Sequence, residues 1–180
     1  MKAGSGILLA AIVGCALVLP ALGAGSAKGS ERVLYSFTGT DGEYPAPTLY
    51  GTTDSGGPDN SGAGTVFALD PKTGAETVLY AFCSQQNCTD GANSIAALIE
   101  VNGTLYGTTG YGGNANDGVA FALDPKIGTE KVLHSLCSQQ NCADGKISNA
   151  LLTYAKGALY GTTLFGGTAD DGTVFALKKP

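Results

Sequence analysis

Tryptophan is absent from this 180-residue chain, and cysteine, methionine and histidine together number only seven. Charge is sparse as well, at 14%, and beyond the first two dozen residues no segment keeps a 3.6-residue apolar period. These shortages exclude a helical bundle or a coiled coil. Basic residues are the scarcer sign, ten Lys and Arg against 15 Asp and Glu. With no basic stripe to neutralise phosphates, nucleic acid and anionic membrane surfaces are excluded as partners. What the chain has in excess is glycine, 28 residues, about twice the usual share. The glycines do not fall every third residue, which excludes collagen. A hydrophobic content of 43% excludes wholesale disorder. Many short strands joined by tight turns fit this composition best.

The first residues read as a leader. Met1-Lys2 supplies a positive start, an apolar stretch runs from Ile7 to Leu22, and small residues follow from Gly23 to Ala27. That order marks a secretory signal peptide over residues 1–27, cleaved between 23 and 27. The interrupted apolar run is shorter than the ~20 residues of a spanning helix, so no membrane span is expected in the mature chain. Ile12-Val13-Gly14-Cys15 resembles a lipobox that would make Cys15 a lipidated N-terminus, but the residues after it stay apolar to Leu22. The expected destination is therefore outside the cell or in its envelope. Removing the leader leaves nine basic against 15 acidic side chains, a net charge of −6.

Internal repetition organises the rest, residues 28–180, into one repeat domain. LYGTT occurs at 49–53, 105–109 and 159–163, and FAL at 67–69, 121–123 and 175–177. VLYSF at 33–37 returns as VLYAF at 78–82 and VLHSL at 132–136. The copies span about 31–82, 83–136 and 137–177, and repeats of this length signal a propeller, a solenoid or a related array. Ala97 to Val101 is a short apolar run closed by Asn102-Gly103, the pair a type I′ hairpin favours. Leu151 to Ala155 with Lys156-Gly157 is its counterpart in the last copy. With strands A (ALIEV), B (LYGTT), C (VFAL) and D (VLYSF), the chain reads D, BC-D, ABC-D, ABC. The predicted fold is all-β, a propeller-like array of about three four-stranded antiparallel repeats, with a threefold β-trefoil-like barrel as the alternative. Val33 to Phe37, left over at the start, is expected to pair beside Val174 to Leu177 and protect that edge.

Several words recur in fixed order: G-T-V-F-x-L at Gly172 to Leu177, T-G-x-x-x-V-L-Y-x-F at Thr73 to Phe82, Asp90-Gly91, and L-Y-G-T-T-x-x-G-G at Leu105 to Gly113. In these the chain resembles the GloVer tandem repeat, the choice-of-anchor tandem-repeat family of exported bacterial proteins, over about residues 31–177. The resemblance implies a secreted or surface-attached, propeller-like repeat protein. The truncated first copy, and Val119-Ala120 in place of Thr-Val, depart from the family pattern.

The residues that could carry chemistry are few. Cys83 and Cys88 flank SQQN, as do Cys137 and Cys142 one copy later. In an exported protein this favours the disulfides Cys83–Cys88 and Cys137–Cys142 over a zinc ion held by four thiolates. His134, the single histidine, fills a slot held by Tyr35 and Tyr80 in the other copies, so packing is preferred to general-base work. Ser135 and Asp144 lie near it in sequence, but no nucleophile elbow is present. Glu100 and Asp170 are the least repetitive acids and a weak lead for paired-carboxylate chemistry. The loops 54–64, 110–118 and 164–172 supply Asp, Asn and carbonyl oxygens, including those of Asp117 and Asp171, and calcium is the ion they would suit. No other cofactor is implied. Tyr111 and Phe165 hold one loop position in successive copies and could stack a sugar. The expected function is a non-catalytic binding or interaction module for a polysaccharide or a surface protein, with a homodimer allowed. A secreted hydrolase or lyase acting on polysaccharide is the alternative.

Overall fold

Alternation and turn chemistry in this sequence produce strands at the expected places. In the computed structural model, which describes residues 48–58 and 61–178, they are β1 (Leu49–Thr52), β2 (Thr65–Leu69), β3 (Glu76–Ala81), β4 (Ile99–Val101), β5 (Thr104–Thr108), β6 (Val119–Asp124), β7 (Thr129–Ser135), β8 (Thr153–Ala155), β9 (Ala158–Thr162) and β10 (Val174–Lys178). They form three antiparallel sheets in chain order: β1-β2-β3, β4-β5-β6-β7, and β8-β9-β10. The middle sheet has all four strands. Among the described residues the first sheet has no strand A and the last no strand D. The β4–β5 hairpin turns at Asn102 and Gly103 with φ of 55° and 79°, and β8–β9 at Lys156 and Gly157 with 49° and 82°, the pair of positive angles of a type I′ turn.

The result is an all-β, propeller-like array of three sheets. The β-trefoil-like alternative is corrected: among the described residues no strand pairs across sheets and no barrel closes. The leader and the proposed pairing of Val33 to Phe37 lie outside the described residues. Among those described, no helix is long and apolar enough to cross a membrane.

LYGTT can be read residue by residue. The leucine points to the preceding sheet: Leu105 packs with Val66 and Phe82, and Leu159 with Tyr106 and Val101. The tyrosine points the other way, Tyr106 lying against Leu152 and Leu159 of the last sheet. The glycine sits under the FAL phenylalanine. Gly107 is the register partner of Phe121, and a Cβ there would lie 2.7 Å from the ring. Gly51 with Phe67 and Gly161 with Phe175 repeat the arrangement. The first threonine reaches the next sheet: the Thr52 hydroxyl donates to the Ala96 carbonyl at 3.0 Å, and Thr108 to the Ser148 carbonyl at 3.1 Å. The second threonine accepts from strand C, Thr109 from the Val119 N–H at 3.0 Å and Thr163 from the Thr173 N–H at 2.9 Å.

The central strands β5 and β6 of the middle sheet are consequently buried on both faces, and β6 reads as one apolar run, Val-Ala-Phe-Ala-Leu. Phe121 alone, fully enclosed and edge-on to Phe82 at 5.2 Å, contributes about 2–3 kcal/mol by burial. Backbone bonds repeat at the two junctions: the Ala63 carbonyl accepts from the Asn93 N–H at 2.7 Å, and the Asp117 carbonyl from the Ile147 N–H at 2.8 Å.

Candidate functional site

The inserted CSQQNC segments fold into stapled loops after strands β3 and β7. Cys83 bonds Cys88 and Cys137 bonds Cys142, with Cα separations of 3.9 and 4.0 Å. All four cysteines lie at positive φ, between 51° and 62°, which L-residues adopt at a cost. A buried acid offsets that cost by collecting the loop's donors. Asp90, fully enclosed, accepts from the Tyr80 hydroxyl at 2.8 Å, the Ser84 N–H and hydroxyl at 2.9 Å each, and the Gln85 N–H at 3.3 Å. Asp144 does the same with His134 at 3.0 Å, the Ser138 hydroxyl at 2.7 Å, the Ser138 N–H at 3.0 Å and the Gln139 N–H at 3.1 Å. Desolvation raises the Asp144 carboxyl, but the Ser138 hydroxyl and the Gln139 and Ser138 N–H groups outweigh it and bring the group down to about 2.

The shared role of Tyr80 and His134 is therefore to hydrogen-bond the loop acid. Ser135 accepts from the Asn114 N–H at 2.8 Å and Ser138 donates its hydroxyl to Asp144, and among the described residues no hydrogen bond joins a serine hydroxyl to the imidazole. The four-thiolate zinc reading fails because the thiols are spent in disulfides.

The stapled loops support the aromatic positions. The Cys88 carbonyl accepts from both the Gly91 and Gly113 N–H groups at 2.9 Å, and Cys142 from Gly145 and Gly167 at 2.9 Å. Tyr111 exchanges backbone bonds with Ala92 at 3.0 and 2.8 Å, and its carbonyl accepts the Thr109 hydroxyl at 2.8 Å. Phe165 does so with Lys146 at 3.2 and 2.9 Å and with Thr163 at 2.9 Å. The backbone of each aromatic is thus pinned, while the side chains stay 49% and 45% exposed. The two rings do not stack on each other among the described residues. Lys146 adds a cation 5.9 Å from the Phe165 ring centre and 3.0 Å from Asp170.

The loop acids are dispersed. Asn116 and Asp170, at one repeat position, each accept the N–H of the first glycine of the pair, Gly112 at 3.1 Å and Gly166 at 2.8 Å. The Gly166 N–H and then Lys146 hold the Asp170 carboxyl below its ordinary range. Asp117 lies beside the Cys137–Cys142 bridge of the next copy, whereas Asp171 is exposed. Among the described residues the loops bring no three carboxylates together, and the one group with metal-ligand spacing, Asp117 with Cys137 and Cys142, has both its sulfurs in a disulfide. Glu100 is exposed on β4.

Sequence reasoning missed Glu130. Both its carboxylate oxygens are buried without a hydrogen-bond partner, and desolvation, with the nearby Asp90 charge, pushes the carboxyl up to about 7. Burial and these carboxylates likewise raise the Tyr80 phenol. Glu31, Glu76 and Glu130 stand two residues before the VL of strand D in all three copies, but Glu76 is exposed, so the shared position gave no signal of burial.

No curated protein matches the chain. Among solved structures it is similar to a protein of Bacteroides fragilis NCTC 9343, provisionally described as a 6-phosphogluconolactonase. That likeness has 19% identity and a TM-score of 0.40, over 73% of this chain and 36% of that one, and at this score it carries no argument. The chain spans about a third of that neighbour's length. The family model described as the Gloeobacter/Verrucomicrobia repeat matches residues 24–175, nearly all of the thrice-repeated unit. The chain belongs to the Gloeobacter/Verrucomicrobia repeat family.

Proposed function

We propose that this chain is an exported, non-catalytic binding module that presents pinned aromatic loops to a polysaccharide. The observation that carries the reading is the pair Tyr111 and Phe165. Both rings are about half exposed at one position of successive copies, on loops fixed by backbone bonds, a threonine hydroxyl and a disulfide-stapled neighbour. An exposed aromatic on a rigid loop offers apolar area to a sugar face at little entropic cost. Disulfides suit an oxidising compartment and agree with the leader read at residues 1–27.

The hydrolase reading would have to draw on Glu130, whose carboxyl is pushed up to about 7 and so keeps the proton that a general acid needs. Its oxygens are buried, Asp90 beside it is fully enclosed, and no cavity opens onto them among the described residues. A glycan array with the full chain, run with and without chelator, tests the proposal. Binding to a glycan class that is lost in Tyr111→Ala and Phe165→Ala, with unchanged melting temperatures, supports it. No glycan binding, together with turnover in a broad hydrolase screen, overturns it.

A further inference from the structure

The two ends of the sheet array carry the halves of a contact that the chain already makes twice within itself. The face of the middle sheet that meets the last sheet is closed: Tyr106 is 2% exposed, Ala120 is fully buried, and the Thr108 hydroxyl reaches the Ser148 carbonyl at 3.1 Å. The same positions on the last sheet are open. Tyr160 is 38% exposed, Val174 is 79% exposed, and Thr162 is exposed. Asp171 is exposed as well, where the carbonyl of its counterpart Asp117 accepts a backbone bond from the next sheet. At the other end, Leu49 is 49% exposed, whereas its counterparts Leu105 and Leu159 are at most 1% exposed against the preceding sheet.

An exposed valine and tyrosine on one face, and an exposed leucine on the other, therefore match the pair of surfaces that close each internal junction. We propose that the open face of the last sheet receives the Leu49 face of a second copy of this chain, head to tail. The contact reuses the internal junction: Tyr160 and Val174 take the places of Tyr106 and Ala120, and Leu49 that of Leu159. Complementarity is established by the two copies of the junction already present, so no surface new to the fold is required. Because the surfaces differ, the contact is heterologous and closes only by completing a ring. The three described sheets of each of two chains would together make six, within the four to eight of closed propellers.

Sedimentation equilibrium of the full chain across the micromolar range tests this. A two-chain mass is expected to grow with concentration. Val174→Lys, at a site exposed enough to leave the fold intact, should raise the dissociation constant about tenfold or more, the worth of one buried valine. Leu49→Glu should do the same from the other face. An equimolar mixture of the two variants should regain a one-to-one complex, since each retains the face the other has lost. A single-chain mass at every concentration, including the case in which residues 33–37 of the same chain cover β10, overturns the proposal. An assembly that survives Val174→Lys, or variants that fail to complement on mixing while each stays folded by circular dichroism, overturns it as well.

Discussion

Replacing Glu130 by Gln should remove a pH dependence from the stability of this protein. In the folded chain the Glu130 carboxyl is raised from its ordinary 4.5 to about 7, first by desolvation and then by the Asp90 charge. The folded state therefore holds a proton that the unfolded state releases at lower pH. Between the two values stability falls as pH rises, the reverse of the usual carboxylate case. The full shift corresponds to about 3 kcal/mol at 1.36 per unit. Because part of the side chain remains solvated, screening reduces the expected loss to about 1–2 kcal/mol. Urea denaturation of wild type and Glu130→Gln, followed from pH 4.5 to about 7, should give curves that diverge by that amount, the variant becoming the more stable at the upper end. Taking the difference removes contributions common to both proteins. The low-lying Asp144 titrates in a separate window, where stability is lost as pH falls from 3.8 towards about 2. Parallel curves for the two proteins would refute the claim that Glu130 is a buried, unpartnered acid.

Two further perturbations test the fold. Gly107→Ala places a Cβ 2.7 Å from the Phe121 ring and 2.8 Å from Leu98, and should cost about 1–3 kcal/mol in urea denaturation. Combined with Phe121→Leu it should cost less than the sum of the single changes, and strict additivity would show that ring and glycine are not coupled. Cys83→Ser with Cys88→Ser opens a short loop whose closure entropy is worth about 2 kcal/mol, read as a lowered melting temperature. Added reductant should lower wild type at least as far, and an unmoved melting temperature would contradict the staple.

The fold was legible because repetition and turn chemistry reinforce each other. Asn102-Gly103 announces a hairpin by itself, and its reappearance as Lys156-Gly157 fixes the meaning of a pair that alone would not be persuasive. One shortened sheet was equally readable: the first copy has no ALIEV word, and among the described residues its sheet has no strand A. The cysteine pairing followed from the loss of both cysteines together in the first copy. Glu130 was not legible, since a glutamate at the start of a strand ordinarily faces water. Its burial is set by the neighbouring sheet, and only three-dimensional packing brings it towards Tyr80 and Asp90. The acids Asp117 and Asp171 were read as loop ligands because composition does not distinguish a turn acid from a metal acid. The structure places one against a disulfide and leaves the other exposed.

What the three copies share, then, builds the scaffold, and what separates them marks the surfaces open to a partner. In the middle copy LYGTT spends every group: one side chain for each neighbouring sheet, one glycine for a ring, one hydroxyl for the next copy and one for its own strand C. Such a unit leaves little room for chemistry, because each of its groups is already spent. Differences accumulate where the unit makes no demand, at the loop position held by Ser55, Tyr111 and Phe165. There the backbone of the two aromatic copies is held by Ala92 and Lys146 while the side chain projects, so substitution changes the surface without disturbing the core. A ligand contact at this position would follow from the architecture, since it is a repeated site at which an aromatic ring can be displayed without loss of a structural bond.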